Sequence, residues 1–240
     1  MLLKVSGLSV LYPGSGEGYV LEDVSFSVND GERIALLGAN GAGKSTLLLS
    51  LLGILQADSG KIEVDGVLLE KKNLPLVRRK LGLMFQDPDD QLFMPTVYDD
   101  VVFGPRNYAE NDGNSADEDS IAEAADRILE KLEILHLKNR MPHKLSGGEK
   151  RLAALAGILV MEPRMLLMDE PSAYLDPRAR RRLISVLETL SEAYIITTHD
   201  FTLAQALCNR CILLYKGWIR ADGPVTDIIN DKKLLDECGL

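Results

Sequence analysis

The chain has 240 residues, room for one large domain or two small ones of about 100–200 residues each. Apolar residues make up 46% and charged residues 26%, a balance that excludes extensive disorder. A formal net charge of −9 opposes attraction to phosphate backbones or anionic lipid, and no local basic patch offsets it, so no nucleic-acid partner is expected.

The longest apolar stretches, near 47–55 and 152–161, reach about half of the roughly 20 residues that a spanning helix needs. The first ten residues are mixed and strand-like, without the basic start and apolar run of a leader peptide, so a cytosolic location is expected. Cys208 and Cys211 have C-x-x-C spacing, but Cys238 is the only further thiol and no second pair completes a tetrahedral zinc set; all three read as reduced, inert thiols. The run Arg178, Arg180, Arg181, Arg182 reads as a solvated helix face.

In chain order, alternation and branched residues predict strands at 2–10, 23–28, 33–37, 61–64, 81–85, 165–169, 194–198 and 211–215. Helical periodicity predicts helices at 44–52, 120–135, 147–161, 177–188 and 201–207. Early strands separated by Asn29-Asp30-Gly31 and Asp65-Gly66 suggest an antiparallel layer, whereas the strands ending at Leu37, Asp169 and near Thr198 each lead into a helix, as βαβ units do. Strand signals vanish between about 87 and 162, which predicts a helical subdomain inserted into an α/β body made of about 1–86 and 163–240. Residues 107–120 are acidic with almost no apolar residue and read as a mobile surface loop. No internal repeat is visible.

The strongest single motif is Gly38-Ala39-Asn40-Gly41-Ala42-Gly43-Lys44-Ser45, which fits G-x-x-x-x-G-K-[ST] directly after a strand and at the start of an apolar helix. Its glycines let consecutive N–H groups converge on an anion, and the helix N-terminus adds partial positive charge. Lys44 is expected to reach the β- and γ-phosphates of a nucleotide, and Ser45 to ligate Mg²⁺, with Thr46 beside it. Met165-Leu166-Leu167-Met168-Asp169 is an apolar strand ending in a carboxylate, suited to holding that metal. Glu170 follows at once, placed to polarise an attacking water as general base.

At Leu145-Ser146-Gly147-Gly148-Glu149 the sequence resembles the ABC (ATP-binding cassette) ATPase family, whose signature reads LSGGQ; here Glu149 replaces the commoner Gln. Taken alone, Ser146 before two glycines is a helix N-cap. The resemblance implies more: the serine-glycine corner lids the nucleotide of an opposing subunit. It also implies a P-loop NTPase core with a mixed sheet, an antiparallel β layer and an inserted α-helical subdomain, all within a single nucleotide-binding domain over 1–240. The order of motifs follows the family. By the resemblance, Gln86 is the Q-loop glutamine, which touches the metal and the attacking water and links the site to a membrane partner. Ser172 to Asp176 resembles the D-loop at the dimer interface, although Tyr174 departs from the usual Gly, and His199 resembles the switch histidine that contacts the γ-phosphate and orients Glu170. Tyr12 is similar to the aromatic residue that stacks on adenine.

A narrower resemblance covers Gln86-Asp87-Pro88-Asp89-Asp90-Gln91-Leu92-Phe93, then Val97, Asp100 and Phe103-Gly104-Pro105-Arg106-Asn107. These look like the ATPases of energy-coupling-factor importers, above all the cobalt and nickel type. The resemblance implies an enzyme that hydrolyses ATP with Mg²⁺, works with a second ATPase subunit, identical or paralogous, and sits at the cytoplasmic face of a membrane. Its further partners would be a transmembrane coupling protein and a substrate-binding membrane subunit. A biotin, vitamin or conventional ABC importer is the nearest alternative. A soluble ABC ATPase acting on nucleic acid or ribosomes is the alternative of another class, and it would carry long coiled coils or two cassettes.

Overall fold

A computed structural model describes residues 1–11, 18–111 and 117–240. Its first half runs β1 (Leu3–Leu11), β2 (Tyr19–Val28), β3 (Arg33–Leu37), α1 (Lys44–Leu51), β4 (Ser59–Val64), β5 (Val67–Leu68), α2 (Leu74–Lys80), β6 (Leu81–Met84) and α3 (Val97–Asn111). The remainder runs α4 (Glu118–Lys131), α5 (Gly147–Leu159), β7 (Met165–Asp169), α6 (Pro177–Glu188), β8 (Ala193–Thr197), α7 (Phe201–Leu207), β9 (Arg210–Tyr215), β10 (Trp218–Pro224), α8 (Val225–Asn230) and α9 (Lys232–Cys238). These elements form two compact units.

The first unit comprises Met1–Leu83, Arg164–Glu170 and Ser191–Leu240. A four-stranded antiparallel sheet has the order β2-β1-β4-β5, and a six-stranded sheet has the order β10-β9-β3-β8-β7-β6. In the larger sheet β9, β3, β8 and β7 run parallel, and β10 closes one edge antiparallel to β9. The central strands read as unbroken apolar runs because both of their faces are covered: Ile34, Ala35, Leu36 and Leu37 of β3 are all buried, as are all five residues of β8. Helix α1 buries Leu47, Leu48 and Leu51 in one hydrophobic cluster with residues of both sheets, among them Leu21, Ile34, Leu167 and Ile195. This packing fixes the end of β3, the start of α1 and the end of β7 relative to one another.

The second unit comprises Met84–Pro163 and Pro171–Leu190. Here α5 packs against α3, α4 and α6. Two glycines permit the crossings. A Cβ built on Gly104 of α3 would lie 2.8 Å from the sulfur of Met161, and one on Gly148 of α5 would lie 2.7 Å from the Cβ of Ala179 on α6.

The structure corrects the loop expected at 107–120. Helix α3 continues to Asn111 and α4 begins at Glu118, so only 112–116 lie outside the described residues. Val101 and Val102 anchor α3, and the acidic residues Glu118 and Asp119 occupy the first turn of α4, where the helix dipole favours negative charge. Arg106 of α3 pairs with Glu118 at 2.6 Å. Short elements with few periods, α2, α8, α9 and β10, had no signal strong enough to be read from sequence.

Candidate nucleotide site

The Gly38–Gly43 loop connects β3 to α1. Gly43, the N-cap of α1, has φ 104, and a Cβ there would lie 2.8 Å from Leu21 Cδ2 and 2.9 Å from the carbonyl oxygen of Val20, so only glycine fits. Lys44 is buried, and its ammonium donates to the carbonyl oxygens of Gly38 (2.6 Å) and Ala39 (3.1 Å). Burial lowers its pKa, while the negative charges of Glu170 and Asp169 oppose that fall. Those charges therefore act on the loop lysine. Asn40, Gly41 and Ser45 are exposed, Ala39 and Thr46 are half-buried, and Ala42 is buried beneath the loop.

Asp169 and Glu170 stand at the carboxyl end of β7, beside the end of β8, with Asp169 in register with Thr197. Thr197, fully buried, joins them: its hydroxyl donates to Asp169 Oδ1 and accepts from the N–H of Glu170 at 2.9 Å. The Glu170 N–H also lies 3.2 Å from the Thr197 carbonyl oxygen. Glu170 is held at φ 44, in the left-handed region that a non-glycine residue enters only where its surroundings force it. Its carboxylate meets His199, whose Nδ1 lies 3.0 Å from Glu170 Oε1. The His199 side chain is 70% exposed, whereas that of Glu170 is almost enclosed. Sequence reasoning missed Thr197; Thr197-Thr198 just before His199 was visible, but which strand lay beside β7 was not.

The residues present suit a magnesium ion. Ser45 offers an exposed hydroxyl at the first turn of α1, and Asp169 offers the carboxylate oxygen not engaged by Thr197. Two oxygen donors match a small hard cation that keeps waters and takes its remaining ligands from phosphate. Among the described residues no group of three or more His, Cys, Asp or Glu could hold a metal by itself.

Gln86, Ser146–Glu149, Ser172 and Asp176 belong to the second unit. Ser146 caps α5 in a reciprocal box: its hydroxyl oxygen accepts from the Glu149 N–H at 3.4 Å, and the Glu149 carboxylate accepts from the Ser146 N–H (2.7 Å) and hydroxyl (2.8 Å). These donations from Ser146 hold the Glu149 carboxyl below its ordinary pKa. Gly147 is exposed, Gly148 takes the crossing against Ala179, and Gln86 is exposed at the end of β6. Ser172 is half-buried and its carbonyl accepts from the Leu175 N–H. Asp176 caps α6, accepting from the N–H groups of Arg178 and Ala179 at 2.8 and 3.0 Å. A cleft of ≈ 520 Å³ joins Ser146, Gly148 and Glu149 to Asp176 and Arg178. Tyr174 is 94% exposed at φ 61, which accounts for glycine being the usual residue of that turn. Tyr12 lies outside the described residues.

In the segment after Gln86, the Asp100 carboxylate accepts from the N–H groups of Phe93 and Met94, at 3.0 Å each. Burial raises its pKa. Phe93 (63% exposed) then meets Phe103 (41% exposed) edge to face, with ring centroids 4.9 Å apart. Burial pushes the thiols of Cys208 and Cys211 up to about 12, so neither is a thiolate near neutrality. Arg182, read from sequence as solvated, is half-buried and donates to the carbonyl oxygens of Leu132 and Glu133.

The sequence matches the family described as ABC transporter over residues 21–173. An ABC transporter ATP-binding protein of Geobacter sulfurreducens is 44% identical, the alignment covering 100% of this chain and 93% of that protein. The energy-coupling factor transporter ATP-binding protein EcfA of Carboxydothermus hydrogenoformans is 37% identical over 100% of this chain and 87% of its own length. Among solved structures, cbiO1 of Clostridium perfringens, part of the ABC transporter complex cbiONQ, superposes with a TM-score of 0.84 at 35% identity, covering 98% of this chain and 93% of that one. A phosphate loop, an acidic pair at the end of β7 and a histidine bonded to its second carboxylate thus coincide with full-length similarity, and the chain belongs to the ABC transporter family as one of its ATP-hydrolysing, ATP-binding subunits.

Proposed function

We propose that this chain powers an importer of the energy-coupling-factor type, two ATPase subunits closing on two ATP molecules and moving docked membrane subunits. The observation that carries the proposal is the cluster of Lys44, Asp169, Glu170 and His199 in one unit, with Glu170 enclosed and bonded to His199. Both units together form the nucleotide-binding domain. Phosphoryl transfer demands positioning and neutralisation of charge more than covalent chemistry. The N–H groups of Gly41–Thr46 and the Lys44 ammonium take the β- and γ-phosphates, for which Lys44 exchanges its present bonds to Gly38 and Ala39. Ser45 and Asp169, and Gln86 by the family resemblance, would hold magnesium, which would supply neutralisation of phosphate charge. Glu170 accepts the proton of the attacking water, and His199 holds that carboxylate through Nδ1 while presenting its outer face to the γ-phosphate. Ser146, Gly147 and Gly148 with Glu149 lid the nucleotide of the partner copy, and Ser172 and Asp176 line the same interface. Tyr12 stacks on adenine.

The Phe93–Phe103 pair, flanked by Asp89 and Asp90, suits the docking of a basic amphipathic helix from a transmembrane coupling protein. Among the described residues no helix is long and apolar enough to cross a membrane, so translocation falls to partner subunits, one of them binding the cargo. The energy-coupling-factor relative and the likeness to cbiO1 support this reading. The cargo proposed is cobalt or nickel, on the resemblance of 86–107 to that importer type. Recovering the chain from membranes and identifying its companions tests the assignment, together with uptake of radiolabelled cobalt and nickel by cells lacking it. Companions without membrane subunits would overturn the importer reading; intact metal uptake would overturn the cargo alone.

A further inference from the structure

Arg151 is the only charged side chain of α5 that is fully enclosed among the described residues, with 3% of its surface exposed. Its guanidinium donates through Nη1 to the carbonyl oxygen of Phe85 (3.0 Å) and through Nη2 to that of Ala173 (3.3 Å). Burial lowers its pKa, opposed by the more distant charge of Asp87. A buried cation held by two main-chain carbonyls and no carboxylate is a costly way to fill space, because an apolar side chain of similar volume packs there without desolvation. The geometry it enforces is specific. Phe85 immediately precedes Gln86, and Ala173 sits in the turn that runs from Ser172 to Asp176.

Other α5 groups also grip the first of these segments. Lys150 pairs with Asp89, and the Ala154 carbonyl accepts from Gln91, whose side-chain oxygen accepts from the Phe85 N–H. None of those three bonds reaches 172–176. Among the described α5 residues Arg151 spans both, and its planar fork fixes the two carbonyls relative to each other in a way that a single-point donor cannot.

We propose that Arg151 is a positioning residue that locks the Gln86 segment to the Ser172–Asp176 turn, so that displacement of the docking segment is transmitted to the turn facing the partner copy. This rests on the functions proposed above for Gln86 and for that turn. It touches no nucleotide itself.

The test compares wild type with Arg151→Lys, Arg151→Gln and Arg151→Met in the full chain with its membrane companions, reading hydrolysis and amide hydrogen exchange. In the folded Gln and Met variants the proposal expects kcat to fall tenfold or more with KM for ATP within twofold. Exchange should quicken at both 85–91 and 172–176 while the Gly38–Thr46 loop stays unchanged. Lysine, a point charge on a thinner stem without the planar fork, should recover less than half of the wild-type kcat. Faster exchange at one segment only, unchanged kcat, or a loss of kcat and ATP affinity in step with lowered Tm would overturn the strut and leave a packing role. Failure of the underlying reading looks different: the wild-type chain assayed without its companions would then hydrolyse ATP at a specific rate independent of protein concentration, showing that no partner copy takes part.

Discussion

Nδ1 of His199 and Oε1 of Glu170 lie 3.0 Å apart, joining a residue after β8 to one after β7 across the end of two adjacent parallel strands. The contact orients a carboxylate that is almost enclosed by using an imidazole that is largely exposed. Glu170→Gln keeps the shape and removes the base. Phosphate release should drop by about 10²–10⁴-fold, the span of general base catalysis, while an ATP-bound dimer accumulates in light scattering. His199→Ala should slow release by about 10²-fold with ATP affinity little changed. Brisk turnover by Glu170→Gln would remove Glu170 from the mechanism.

Thr197 links the two carboxylate residues by accepting from the Glu170 N–H and donating to Asp169. Thr197→Val keeps the shape but removes the hydroxyl, so Asp169 loses this donor and the Glu170 N–H keeps only the Thr197 carbonyl oxygen, a loss of about 1–2 kcal/mol in urea unfolding. Phosphate release should fall at least about tenfold, since a misplacement of even 1 Å is costly in such sites. Thr197→Ser should restore both. Equal activity of the valine and serine variants would show that the hydroxyl does not position the pair.

Gly148 faces Ala179 so closely that an added methyl group would stand 2.7 Å from the alanine Cβ. Gly148→Ala should push α5 and α6 apart and cost about 1–3 kcal/mol, as overpacking does. The double variant Gly148→Ala with Ala179→Gly vacates the collision and should regain most of that loss. A double-mutant cycle with no coupling would show that the crossing yields freely.

Glu149 accepts two bonds from Ser146, and its folded pKa is lowered, so its contribution to stability is complete above the ordinary carboxylate value and disappears as pH falls through the folded one. Glu149→Gln should therefore cost about 0.5 kcal/mol near neutrality, an exposed capping bond being partly screened. The difference between the two proteins should narrow below about pH 4. Urea midpoints at several pH values measure it. A gap that widens on acidification would reverse the sign and assign the carboxylate a repulsive role.

Strands β3 and β7 and helices α6 and α7 were legible because each is an unbroken apolar run or a strongly periodic stretch bounded by glycine, proline or a capping aspartate. The two ends of β2 differed in this respect. Its residues from Asp23 onward alternate cleanly, but Tyr19–Glu22 do not, and they form strand because the antiparallel ladder with β1 extends there. The acidic composition of 107–120 pointed away from helix, yet residues on both sides are helical because α3 packs on α5 and acidic charge suits the first turn of α4.

By itself the sequence determined the phosphate loop, the acidic pair at the end of β7 and the capped serine-glycine corner, since each depends on neighbours within a few positions along the chain. Only the tertiary structure decided that Thr197 bridges Asp169 and Glu170 and that Arg151 spans Phe85 and Ala173, and it supplied the Nδ1–Oε1 bond by which His199 orients Glu170, a link that the family resemblance implied. Those contacts join residues 22 to 66 positions apart, and their existence follows from strand order and helix crossing. Local pattern carries information about dihedral preference and burial, whereas the meeting of distant side chains depends on how the whole core closes.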